Sequence, residues 1–178
     1  MPAGITYLLP LALFSLCDLR YRLAPGIGLL FLGAVLLAAP ADPLRAGTAV
    51  LATAWGFCNA PGLLALPLLV HPSSWAVLFT GCGVRRGVAG RADLLAMGGI
   101  AALYPWPATL LALVGVELCR RGWRGRHGGP APAIPGMFLG VSAYLVVIQI
   151  IPLLGQHCSL FLWIQLLTND ETVLHSEA

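Results

Sequence analysis

The constraint that governs this chain is where it refuses charge. Apolar segments run over about 3–17, 23–40, 46–83, 94–104, 106–119 and 134–154, with a further short run at 158–167. Acids are almost absent from them: Asp18 and Asp93 stand at segment ends, and Glu117 lies near the end of another. Only 10% of the 178 residues are charged and 58% are hydrophobic, against about 25% charged in an ordinary soluble domain. A water-soluble fold of this size has no way to hide so much apolar surface. The composition therefore predicts an all-α, polytopic membrane helix bundle, with 1–167 as one transmembrane domain and 168–178 as a short polar tail.

The bases are all arginines, and they set an expected topology. Arg20 and Arg22 follow the first segment; Arg85, Arg86 and Arg91 precede the fourth; Arg120, Arg121, Arg124 and Arg126 follow the fifth. Placing these three clusters in the cytoplasm, as the positive-inside rule requires, gives about six transmembrane helices with both termini outside. The first segment lacks the basic flank that precedes a signal peptide core, so it reads as a retained first helix. The stretch 46–83 is long enough for two helices, yet two crossings would move Arg85, Arg86 and Arg91 outside. One crossing over about 46–69 is expected instead, then a shorter element around 74–83, with the break at His71-Pro72-Ser73-Ser74. Short arginine loops of this kind give no sign of nucleic-acid binding.

The five cysteines (Cys17, Cys58, Cys82, Cys119 and Cys158) are isolated, with no pairing that suits zinc, and fit small core residues. His71, His127, His157 and His175 are scattered and no H-E-x-x-H occurs. Neither a metal nor a cofactor is expected.

Asp18 and Asp93 remain the chemical candidates, because ionisable groups at membrane depth are costly. Taken singly, Asp18 fits an interfacial ion pair with Arg20 or Arg22, and Asp93 fits a helix N-cap. Taken together, one depth and one leaflet in an acid-poor bundle point to a shared site. Two carboxylates held close cannot comfortably both ionise, so one pKa rises and the pair holds one proton. The ionised member takes a proton from water while the protonated one polarises a carbonyl, which is metal-free peptide hydrolysis. Glu117, three and four residues from Arg120 and Arg121, reads as a local ion pair.

The residues around the two aspartates carry a resemblance. Asp18-Leu19-Arg20-Tyr21-Arg22-Leu23-Ala24-Pro25 resembles the D-x-R-x-x-x-I-P motif of type IV prepilin peptidases and archaeal preflagellin peptidases. Gly90-Arg91-Ala92-Asp93 resembles their second motif, GxGD, in its G-x-A-D form, and is followed by Leu94-Leu95-Ala96-Met97-Gly98. Ile134-Pro135-Gly136-Met137-Phe138-Leu139-Gly140 is similar to the family's proline-rich start of the last core helix. The chain departs from the pattern at Ala24 (isoleucine), Gly26 (asparagine), Ala92 (glycine) and Leu94 (lysine).

The resemblance implies a membrane aspartic endopeptidase, the peptidase core alone, with Asp18 and Asp93 as its catalytic dyad at the cytoplasmic face of the cell membrane. Its partners would be the lipid bilayer and prepilin-like or preflagellin precursors, cut between a short basic leader and an apolar helix. Arg20 would hold Asp18 ionised or bind lipid phosphate. Gly90, with Gly87 upstream, would let backbone pass close to the substrate or would give a flexible helix start. Two other classes stay open: a small ion- or proton-translocating bundle, and an inactive structural homologue in pilus assembly.

Overall fold

The computed structural model describes residues 3–21, 24, 26–58, 60–127 and 132–154, with side chains for all of these except 3–6, 124–127 and 149–154. Arg22, Leu23 and Pro25 of the first motif, the apolar run 158–167 and the tail 168–178 lie outside the described residues. The chain divides into two compact units, Met1–Ala143 and Tyr144–Ala178. The candidate site lies wholly within the first.

The described residues are all helical, with no strand. In order they form α1 (Ala3–Tyr21), α2 (Ile27–Ala38), α3 (Pro43–Phe57), a 3₁₀ helix η1 (Gly62–Val70), α4 (Pro72–Arg85), α5 (Arg91–Leu103), α6 (Trp106–His127) and α7 (Ile134–Leu154). Local chemistry sets the boundaries. Asp42 caps α3 by accepting from Arg45 N at 2.9 Å, with Pro43 in the first turn. Pro72 opens α4 at the expected break, in the position where a missing N–H costs nothing. A Schellman motif ends α4: Gly87 is left-handed at φ 70°, Gly87 N bonds Val84 O, and Val88 N bonds Gly83 O.

The expected single pass over 46–69 is corrected by the structure. Helix α3 stops at Phe57, and its end is held from outside. Arg85 Nη2 donates to Trp55 O at 3.1 Å and to Ala60 O, while its guanidinium lies 3.8 Å from the Trp55 ring centroid. Trp55 Nε1 in turn donates to Pro61 O at 3.0 Å. A cation capping the last carbonyls of a helix, followed by Pro61-Gly62, turns the chain back. The stretch therefore runs as three passes: α3 toward Arg85, η1 away from it, and α4 back again.

Close glycine contacts relate α3 to α4 and α5, and α6 to α7. A methyl group on Gly56 would lie 3.1 Å from Gly81 Cα, so the C-terminal ends of α3 and α4 meet. Gly56 touches Leu94 and Gly98 touches Thr53, so α5 runs antiparallel to α3. Gly115 abuts Gly136, and Gly140 abuts Leu111, so α6 and α7 are antiparallel. The described residues thus form eight helical elements. Three elements, α3, η1 and α4, run between Pro43 and Arg85.

Helix α5 is the hub, packing against α1, α2, α3, α4 and α6. The interior mixes large apolar residues (Leu11, Leu94, Met97, Ile100, Ile134 and Met137) with many small ones, among them Ala34, Ala49, Ala52, Ala76, Ala96, Ala101 and Ala112, all at most 1% exposed. Other large apolar residues face outward: Leu29 is 76% exposed, Val70 80% and Phe79 71%. The glycines Gly136 and Gly140 are four residues apart on α7, and the α6 backbone lies against both. Small residues at helix contacts with leucine outside is the arrangement that apolar surroundings favour.

Among the described residues, however, no helix is long and apolar enough to cross a membrane. Helices α2 to α5 have 12 to 15 residues, a rise of about 18–23 Å against a hydrocarbon core of about 30 Å. The longer α6 carries Glu117, Arg120 and Arg121.

Candidate functional site

Asp18 lies in the last turns of α1 and Asp93 in the first turn of α5. The two helices touch at their far ends, where the Tyr7 and Tyr104 rings meet edge to face with centroids 6.2 Å apart. Tyr7 also packs against Gly99. Asp18 follows Tyr7 by eleven residues and Asp93 precedes Tyr104 by eleven, about 16 Å of helix in each case. Antiparallel helices pinned at one end and followed for equal lengths bring their aspartates to the same level.

The electrostatics agree with that placement. Burial pushes the Asp93 carboxyl up from its ordinary 3.8 to about 6, and the nearby Asp18 charge adds to the rise. The Gly90 N–H opposes both, donating to Asp93 Oδ2 at 2.7 Å. Asp93 stands one residue before the apolar segment 94–104, outside it. It is the third helical residue, with Gly90 as N-cap, and its carboxylate reaches back to the cap N–H. The N-cap reading of Asp93 was therefore three positions off. The helix needs this carboxylate at its start, and that does not remove it from chemistry, since its second oxygen is not used by the cap.

Of the first motif, Asp18, Leu19, Arg20 and Tyr21 lie at the end of α1. Arg20 is exposed, its guanidinium 5.4 Å from the Tyr21 ring centroid. Gly26 starts α2 with φ 74°. Glycine enters this left-handed region without steric cost.

Asp93 also lines a cleft of about 280 Å³ formed by α4, α6 and the start of α7. Asp18 does not line it. Glu117, Arg86 and Arg120 share its polar side, and Phe79, Val88, Leu113, Val116 and Met137 its apolar side. Glu117 makes the expected local ion pairs, to Arg120 Nη2 at 2.7 Å and to Arg121 Nε at 2.8 Å. What the sequence did not reveal is that this paired acid faces the same cavity as Asp93. Its walls come from segments far apart in the chain, and no spacing announces them. Among the described residues no three His, Cys, Asp or Glu side chains are grouped to hold a metal ion.

No family model, curated protein or solved structure matches the chain. Its chemistry must be argued from the site.

Proposed function

We propose that this protein is a membrane-embedded aspartic endopeptidase of the prepilin peptidase kind. It removes the short basic leader from type IV prepilin-like or preflagellin precursors at the cytoplasmic face of the cell membrane. The observation that carries the reading is that α1 and α5, joined at Tyr7 and Tyr104, bring to one level two acids 75 residues apart in the sequence, with the Asp18 charge adding to the rise of the Asp93 carboxyl. Like-charged carboxyls in reach of each other share one proton.

Burial raises the Asp93 carboxyl, so in the state where the pair shares one proton Asp93 is the member that carries it. Gly90 N–H occupies Oδ2, which leaves Oδ1 to carry the proton toward the substrate carbonyl. Asp18, ionised, takes a proton from the attacking water. The tetrahedral adduct collapses when the leaving amine receives a proton, and both carboxyls return to their starting state. No covalent intermediate forms.

Bilayer placement is supported by the outward leucines, the small residues at helix contacts and the arginines gathered at the aspartate end. Helices of 12 to 15 residues imply a bilayer thinned around the protein. An ion-conducting bundle is supported less well. Asp18, Asp93 and Glu117 share one end, whereas a relay needs polar groups along the axis.

The test is leader removal from a co-expressed precursor, read as a gel shift. Asp18→Asn and Asp93→Asn each abolish processing while the protein remains inserted and folded. Unchanged processing in either variant sinks the dyad, and a proton flux in liposomes that both variants stop would establish the relay instead.

A further inference from the structure

We infer that the 3₁₀ helix η1 is a lipid-facing rod. Two of its three side-chain rows lie against the acyl chains of the bilayer, and the third holds it to α3 and α4. This rests on the bilayer placement proposed above and goes beyond it, since that placement leaves open which surface meets lipid and why this one is not an α-helix.

The winding follows from distance. The C-terminal ends of α3 and α4 meet, so the chain leaving Phe57 must travel back along the 14 residues of α4, about 21 Å, before Pro72 can start that helix. The nine residues Gly62–Val70 would cover about 13–14 Å as an α-helix. At the 3₁₀ rise of about 2.0 Å per residue they cover about 18 Å. Runs of 3₁₀ helix longer than three or four residues are uncommon, and this one is held near both ends by an indole. Trp55 Nε1 donates to Pro61 O at 3.0 Å, and Trp75 Nε1 donates to Leu69 O at 2.8 Å. Carbonyls at the ends of the rod therefore have donors, as apolar surroundings require.

The sequence has the matching period. A 3₁₀ helix has three residues per turn, so side chains three apart stack in rows about 120° apart. Leu68 is buried and Ala65 half-buried, in one row with Gly62, and every other residue of η1 is exposed. The other two rows are Leu63-Leu66-Leu69 and Leu64-Pro67-Val70, without a polar or charged side chain. A single protein partner covers one side of so thin a rod, whereas two apolar rows at this angle need a medium that surrounds it. Hydrocarbon is such a medium, and a tryptophan at each end matches the aromatic belts at its two boundaries.

The experiment uses the full-length protein in phosphatidylcholine vesicles, with its five native cysteines changed to alanine and one cysteine carrying a nitroxide placed in turn at positions 62 to 70. An unchanged helical circular dichroism spectrum shows that each variant is folded. Collisions of the nitroxide with oxygen, which dissolves in hydrocarbon, are compared with collisions with a polar nickel chelate. Probes at Arg86 and at Leu32, exposed midway along α2, serve as references. A polar chelate is costly to transfer into hydrocarbon, so the oxygen-to-nickel ratio for Leu66→Cys should exceed that for Arg86→Cys at least about tenfold. Oxygen collisions should dip at positions 65 and 68, three residues apart. A Leu66→Cys probe open to nickel places η1 in water, and one shielded from both reagents places it against a second copy or another protein. Either result overturns the proposal. Oxygen access without nickel for Leu32→Cys then shows that the bilayer placement survives, whereas nickel access at both positions overturns that placement as well.

Discussion

Tyr7 and Tyr104 meet edge to face at 6.2 Å, and each stands eleven residues along its helix from an aspartate of the candidate dyad. The aromatic pair is thus the far hinge pin of the two helices that carry the acids. Tyr7 is 3% exposed and its hydroxyl has no hydrogen-bond partner. Removing an unsatisfied buried hydroxyl is near-neutral or stabilising, so Tyr7→Phe should match or exceed the wild type in a thermal melt. Tyr7→Ala removes the ring contact as well and should cost about 3–5 kcal/mol, with loss of processing as α1 slips against α5. Equal melting of the wild type and Tyr7→Ala would show that this contact does not hold the two helices together.

The raised Asp93 carboxyl makes a signed prediction about pH. A group whose folded-state pKa lies above its unfolded value binds its proton more tightly when folded. Its stabilising contribution is fully present below the ordinary 3.8 and is lost as pH rises through about 6. Thermal stability should therefore fall across that window, and Asp93→Asn should remove the fall. Asp18→Asn takes away a like charge, so it should shift the fall to lower pH without abolishing it. A pH profile identical to wild type in Asp18→Asn would mean that the two carboxyls do not interact.

The sequence carried the helical class, the two aspartates and the pairing of Glu117 with its arginines, because each depends on local composition or on spacing within one helix. It placed the start of α4 correctly from His71-Pro72, since proline acts through its own backbone. It misjudged 46–69, because the end of α3 is decided by Arg85, 30 residues beyond Trp55. Counting Arg85 as a loop cation hid its use as a cap. Hydropathy could not separate η1 from a helix continuing forward. The cleft was invisible because its walls come from four separate segments.

The Arg85 clamp can be measured directly. Arg85→Ala strips two carbonyls of a charged donor and uncovers the Trp55 face, a loss of about 2–3 kcal/mol. Arg85→Lys keeps the charge but cannot span both carbonyls with a planar fork, so it should recover only part of the loss. Chemical denaturation in detergent gives the ranking wild type, Lys, Ala. Proteolysis should increase at the turn between α3 and η1 in the same order. Lys matching the wild type would reduce the clamp to simple charge.

Close backbone approach between α6 and α7 yields the last prediction, and an internal control comes with it. A methyl group on Gly140 would collide with the Leu111 carbonyl, and one on Gly136 would lie 2.6 Å from Gly115 O and from the Val116 backbone. These are main-chain obstacles, which cannot rotate aside as a side chain does. Gly140→Ala should therefore destabilise by about 1–3 kcal/mol, the usual cost of overpacking, and Gly140→Leu by more. Gly33, in the middle of α2, has nothing within 4 Å of its would-be methyl. There the alanine only raises helix propensity, and Gly33→Ala should stabilise by about 0.5–1 kcal/mol. Both sites are helical glycines in an apolar bundle, so opposite signs in paired thermal melts isolate helix contact from propensity. Because the cleft draws Met137 from α7 and Val116 from α6, Gly140→Leu should also disturb precursor cleavage, while Gly33→Ala leaves it unchanged. Destabilisation of the same size at both positions would mean that α6 and α7 do not approach through these glycines.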